Sequence, residues 1–171
     1  MTVTQNSRLT LVNVKDLQAF HTFIRLAAGR IGQEFNASAL SVEVGVSLPT
    51  VKNWLSVLAA SYVVYLLHPY HANIGKRLTK TPKLYFYDTG LAAFLLGINS
   101  IEQLDVHPLR GSLMENLVVN DIVKHGCNQG REESLFFYRD KSQHEVDVLR
   151  ALSDGSLEAY EIKASMTYNA D

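Results

Sequence analysis

Residues 37–60, ASALSVEVGVSLPTVKNWLSVLAA, decide how the first half of this chain is read. Asn36 stands before the stretch as an N-cap, and Gly45 interrupts it. Ser47 then offers a second N-cap, with Pro49 in the first turn, where a missing N–H does no harm. The expectation is two short helices, Ala37–Val44 and Leu48–Ala60, joined by a tight glycine-containing turn, which is the helix-turn-helix pattern. Val51, Trp54, Leu55 and Leu58 recur at helical spacing and give the second helix a buried stripe.

Working outward, Asp16 reads as the N-cap of a helix over Leu17–Ala28, with Leu17, Phe20, Phe23, Ile24 and Ala27 on one face. Gly29 and Gly32 end it. After the helix pair come a β-rich run at 62–67, a polar loop at 68–80 and a second strand at 84–87, an arrangement that makes a wing. Tyr85, Phe86 and Tyr87 read as strand core rather than as a platform for stacking bases. A short helix at 91–96 ends at Gly97. The stretch 98–110 is mixed, holds Pro108 and reads as a linker.

A new unit opens at Gly111, with a helix at 112–124 and strands at 135–138, 146–151 and 157–163. Asp154-Gly155 is a hairpin signal between the last two strands. The expected class is α+β or α/β. A winged helix-turn-helix domain over 1–97, with an N-terminal tail at 1–15, precedes an α/β region over 111–171. A further helix and strand are needed to cover that sheet, so the second unit reads as truncated at its C-terminus.

Composition narrows the function classes. The net charge is −1, so nucleic-acid binding through bulk charge is excluded and any basic surface is local. Cys127 is the single cysteine, which rules out an internal disulfide and a CxxC zinc site. Residues 1–10 lack an apolar signal core. The most apolar stretch, 55–67, is interrupted by Ser56 and Ser61 and is shorter than the ~20 residues a membrane helix needs. A cytoplasmic protein without a membrane segment is expected.

Four residues carry candidate chemistry: Glu115, Asp147, Glu161 and Lys163. Glu161 and Lys163 lie two apart on a strand and share a face. A hairpin centred on Asp154 puts Asp147 opposite Glu161. Facing carboxylates repel unless a cation lies between them, and a hard ion such as Mg²⁺ suits their oxygens and the Ile162 carbonyl. Asp147 and Glu161 are therefore the candidate metal ligands. Lys163 would orient or deprotonate a water, or offset charge on a phosphate. Glu115 shares a helix face with Val118, Val119 and Ile122, where a carboxylate needs a partner. On these residues alone the plainer alternatives stay open: Asp147 as a solvated strand residue, and Glu115 paired with Arg139 or Lys163.

For DNA, the Leu48–Ala60 helix holds the recognition position, with Thr50, Lys52 and Asn53 as its polar candidates. The wing adds Lys76, Arg77, Lys80 and Lys83, with no acid from His68 to Lys83. A solvated loop, or a face that packs on a partner, is the competing reading of those cations.

Two blocks resemble a known family. The first holds Gly75-Lys76-Arg77-Leu78 and Pro82-Lys83-Leu84-Tyr85-Phe86-Tyr87-Asp88-Thr89-Gly90-Leu91. The second holds Arg110-Gly111, Glu115-Asn116, Tyr138-Arg139-Asp140, Glu145-Val146-Asp147 and Glu161-Ile162-Lys163. Together they resemble the C-terminal domain of unknown function of prokaryotic AAA-type ATPases. That resemblance implies a winged helix followed by a partial PD-(D/E)XK restriction-endonuclease-like core. It places metal ligands at Asp147 and Glu161, the catalytic lysine at Lys163 and the first-helix acid at Glu115, and it implies an ATPase domain upstream as partner. No G-x-x-x-x-G-K-[ST] loop occurs, so no ATP site of that type is expected here. The leading expectation is a DNA-associated accessory region with a Mg²⁺-dependent nuclease site. The alternatives are a non-catalytic scaffold that regulates the ATPase and a winged-helix DNA-binding module without catalysis.

Overall fold

The computed structural model describes residues 17–71, 80–131, 133–140 and 144–164. The chain is a mixed α+β structure with two small antiparallel sheets and, among the described residues, six helices. Helices α1 (Leu17–Ala28), α2 (Ala37–Val44) and α3 (Leu48–Ala60) come first. Strands β1 (Val64–Leu67) and β2 (Lys83–Phe86) follow, then helices α4 (Thr89–Leu95), α5 (Ile101–Asp105) and α6 (Arg110–Asn128). Strands β3 (Ser134–Arg139), β4 (Glu145–Ala151) and β5 (Leu157–Tyr160) complete the described chain.

The caps form as their residues require. The Asn36 side chain accepts from the Ala39 amide at 3.0 Å, and Ser47 Oγ accepts from the Thr50 amide at 3.2 Å. Gly45 ends α2 at φ 77°, a conformation that a Cβ disfavours. Helix α3 closes differently. The Tyr62 amide donates to Ala59 O and the Val63 amide to Leu58 O, with Tyr62 at φ 55°. This double closure takes up 61–63, so β1 begins at Val64 rather than at the expected position 62. Phe23, Ala27, Leu40, Val51, Trp54 and Leu58 form the first core, with Phe20 edge-on to Trp54 at 5.4 Å. Leu17, expected on the apolar face of α1, is 66% exposed.

Strand β2 is buried along its whole length because it is flanked on both edges. It pairs antiparallel with β1, from Val64 opposite Phe86 to Leu67 opposite Lys83. On the other edge Gly32 N donates to Leu84 O, and Leu84 N donates to Gln33 O. Phe86, next along that edge, finds no strand residue. The Asn116 carboxamide of α6 takes that place, accepting from Phe86 N at 2.8 Å and donating to Phe86 O at 3.0 Å. Asn120, one turn on, also donates to Phe86 O. A helix side chain thus supplies the next rung of the sheet.

The stretch 98–110 holds α5, capped by Ser100, although its mixed composition announces no helix. Beyond α6, β3, β4 and β5 form a three-stranded antiparallel sheet in that order. Phe136 faces Leu149 and Tyr138 faces Val146, so Phe137 alone opposes both Asp147 and Val148. This is a β-bulge on β4, a device that re-aims side chains and recurs beside active sites. The two sheets also meet: Tyr70 N donates to Phe137 O and Phe137 N to His68 O. Leu67, Tyr85, Val119, Phe137 and Val148 form a second core across that junction.

Candidate functional site

The site grows out of the β4 bulge. Val148 faces Tyr160 and Ala151 faces Leu157, and one further step along that register sets Asp147 opposite Glu161. The ladder stops short of that step. Strand β5 ends at Tyr160 rather than at 163, because the Ile162 amide donates to Asp147 Oδ2 at 2.7 Å instead of to a backbone carbonyl. The Asp147 carboxylate therefore rests on the middle of Glu161-Ile162-Lys163. Glu161 turns outward and pairs with the Lys163 ammonium, the two side chains being 51% and 70% exposed. The hydrogen bond to Glu161 and that residue's charge, with a smaller share from Asp147, push the Lys163 pKa up.

Glu115 reaches the same neighbourhood from α6, but its partners are neither Arg139 nor Lys163. Lys83 Nζ donates to its Oε1 at 3.1 Å, and the Tyr85 hydroxyl donates to that same oxygen. Lys83 is only 3% exposed and also meets Glu145 Oε1 at 2.6 Å. Arg139 links Glu145 to Glu34, whose Oε1 lies 2.9 Å from the guanidinium. Three carboxylates, those of Glu34, Glu115 and Glu145, thus share two cations, and Asp147 lies near enough to repel Glu115.

That imbalance separates the acids. Burial pushes the Glu115 carboxyl above its ordinary range against the pull of Lys83 and the Tyr85 hydroxyl, and Asp147 adds repulsion. Glu145 is also penalised by burial, but Lys83 and Arg139 outweigh this and hold it below its ordinary range. Burial alone would lower the Lys83 pKa, yet its two carboxylates reverse the direction and favour the charged form. Paired acids pushed in opposite directions are the arrangement in which one carboxyl can hold a proton while its neighbour stays ionised.

Lys83 is the main correction to the expected basic wing. A buried ammonium between two carboxylates cannot meet a phosphate, so Lys83 leaves the set of DNA contacts. Thr50 is half-buried, and its hydroxyl bonds Ser47 Oγ at 2.8 Å at the helix cap. Lys52, Asn53 and Lys80 are exposed. Lys76 and Arg77 lie outside the described residues. A hollow of about 470 Å³ beside Lys52 and a second of about 340 Å³ beside Lys80 and Arg139 share Glu34 and Thr81 as lining, so they are neighbours. Tyr85 and Phe86 are core residues, as their strand predicts.

Sequence reasoning took Lys83 as a surface cation and passed over Tyr85 and Glu145. One signal was present: lysine heads the apolar strand Lys83–Phe86, and a charge there requires a buried counter-charge. Among the described residues no three His, Cys, Asp or Glu side chains stand close enough to hold a metal ion by themselves. Mg²⁺ does not require three, since it commonly keeps several waters and takes one or two carboxylates plus substrate phosphate. The donors Asp147, Glu161 and the Ile162 carbonyl fit that chemistry. Among the described residues no helix is long and apolar enough to cross a membrane.

Residues 2–102 match the family described as domain of unknown function DUF8612, which accounts for more than half of the chain. The chain belongs to the DUF8612 family. Residues 110–171 of this DUF8612 protein match a second family, domain of unknown function DUF4143. The Lys83 and Tyr85 side chains thus come from the first matched region, and Glu115, Glu145, Asp147, Glu161 and Lys163 from the second. The chain is similar to an uncharacterized protein of Mycobacterium bovis and to one of Mycobacterium tuberculosis. Each is 33% identical over 136 residues, which is 80% of this chain and 30% of the relative. The chain therefore spans about a third of the length of the relatives it matches. No solved structure matches it.

Proposed function

We propose that this chain is a DNA-associated accessory region of an AAA-type ATPase and carries a Mg²⁺-dependent phosphodiesterase site. The observation that carries the reading is the Asp147 carboxylate lying against the amide of Ile162, between Glu161 and Lys163. Asp147 and Glu161 would hold the ion, with the Ile162 carbonyl as a further oxygen. When bound, such an ion lowers the pKa of a water and offsets charge on phosphate oxygens. Lys163, the most exposed member, is free to swing from Glu161 to an incoming phosphate or to a water beside it. Glu115 would support the ion or take a hydrogen bond from that water. Lys52 lines one of the two neighbouring hollows and Lys80 the other, and with the exposed Asn53 they suit a phosphate backbone there. The partnership with an ATPase draws on DUF4143, which is commonly associated with AAA-type ATPases.

The test is cleavage of plasmid and single-stranded DNA with Mg²⁺ or Mn²⁺, using the full-length protein. Asp147→Ala and Lys163→Ala should each lower the rate roughly 100-fold or more, the scale of losing one group that stabilises transition-state charge. Equal rates in all three proteins would reject the site.

A second reading has an observation of its own. Glu115 is already held at Oε1 by Lys83 and Tyr85, and the Asn116 rung ties α6 to β2. Those contacts suit a non-catalytic scaffold whose fixed shape regulates the ATPase. Stable docking to an ATPase domain without any DNA cleavage would favour it.

A further inference from the structure

We propose that Lys83 and Tyr85 are positioning residues for the acidic site, acting through Glu115, so that both matched regions build it. The inference rests on the phosphodiesterase reading and extends it to residues outside the carboxylate set.

The burial of Lys83 is the first ground. A leucine or methionine would fill that place in β2 without costing a desolvated charge, and removing one member of a buried ion pair is among the most damaging changes a protein meets. Lysine is instead held 3% exposed, within 3.1 Å of Glu115 and 2.6 Å of Glu145, with its ammonium 5.3 Å from the centre of the Phe137 ring. Phe137 is the residue opposite the β4 bulge that carries Asp147. The ammonium therefore touches α6, the residue that begins β4 and the strand that frames the bulge.

The second ground is the pattern of bonds on Glu115. Lys83 and Tyr85 both donate to Oε1, and among the described residues no donor meets Oε2. The carboxylate is fixed by one oxygen, and the other keeps its lone pairs for a further partner. Tyr85 is itself fully buried and stacked on Tyr65 at 5.5 Å, so its hydroxyl has little freedom to wander. A carboxylate anchored this way stays near Asp147 even though the two repel, as a site that receives a cation requires.

Mn²⁺ affinity of the metal-free full-length protein, measured by calorimetry, tests this without relying on turnover. Tyr85→Phe removes one hydroxyl and keeps the ring. It should weaken Mn²⁺ about 10-fold, as loss of an outer partner of a ligand set does, while the protein melts as a folded species. Lys83→Met should weaken it further. Tyr65→Phe is the matched control: its hydroxyl bonds Asn120 rather than Glu115, and affinity should not change. In a Glu115→Gln background the Tyr85→Phe effect should vanish, which a general loosening of the fold would not produce. Wild-type binding with no loss in Tyr85→Phe or Lys83→Met overturns the inference and leaves the phosphodiesterase reading standing. No Mn²⁺ binding by the wild type overturns both.

Discussion

At the scale of the residue, the decisive chemistry is one ammonium shared by two unequal acids. Glu145 has Lys83 and Arg139, while Glu115 has Lys83 and a neutral hydroxyl and also feels Asp147. The raised Glu115 carboxyl means that the folded state binds a proton there more readily than the unfolded chain does. As pH falls from neutrality towards the ordinary carboxylate value of 4.5, wild type should gain stability relative to Glu115→Gln. Glu145 has the opposite sign: its contribution is complete above its ordinary value and is lost at more acid pH. Melting temperatures of the two proteins across pH 4.5–7 check this, and parallel curves would contradict it. Asp147 makes a related prediction. Asp147→Asn keeps an acceptor for Ile162 N and removes the repulsion with Glu115, so it should melt no lower than wild type. Asp147→Ala forfeits the bond and should lose about 1 kcal/mol, read by urea unfolding.

At the scale of the element, the docking of α6 on β2 depends on amide chemistry. Asn116 is 0% exposed and takes the Phe86 amide at the sheet edge. Asn116→Ala leaves that donor buried and should cost about 2 kcal/mol in denaturant unfolding. Asn120→Ala should cost less, because Phe86 O keeps its bond to Asn116. What the sequence made legible at this scale is local. Asn36, Gly45 and Ser47 act through neighbours a few residues away, so α2 and α3 fall where their caps and apolar spacing put them, and α1 where its apolar spacing puts it, its expected cap Asp16 lying outside the described residues. The hairpin register that sets Asp147 opposite position 161 is also local, fixed by the turn at Asp154-Gly155. The early end of β5 was not legible, because a side chain from another strand interrupts the ladder. Lys83 was misread for the same reason, since its partners lie 32 and 62 residues along the chain and no pattern near it names them.

At the scale of the whole molecule, the sequence suggests two units and the structure joins them through both polar contacts and shared apolar packing. The first core takes in Leu84 and Phe86 of β2 and Leu113 of α6, and the second core begins on the other face of the same strand with Tyr85. The bridge from His68 and Tyr70 to Phe137 closes the junction at a second point. Trp54 reports on the first core and sits far in sequence from β3, β4 and β5. Its fluorescence and the β-sheet circular dichroism should therefore lose signal in one shared denaturant transition. Two separated midpoints would show that the junction does not couple the regions. Where a cation sits decides the chemistry of the acidic site. Crystals soaked in Mn²⁺ and measured at its absorption edge should show an anomalous peak between the Asp147 and Glu161 carboxylates, with the Ile162 amide released from Asp147. A peak elsewhere, or none at saturating Mn²⁺ with Asp147 still on that amide, would contradict the phosphodiesterase reading.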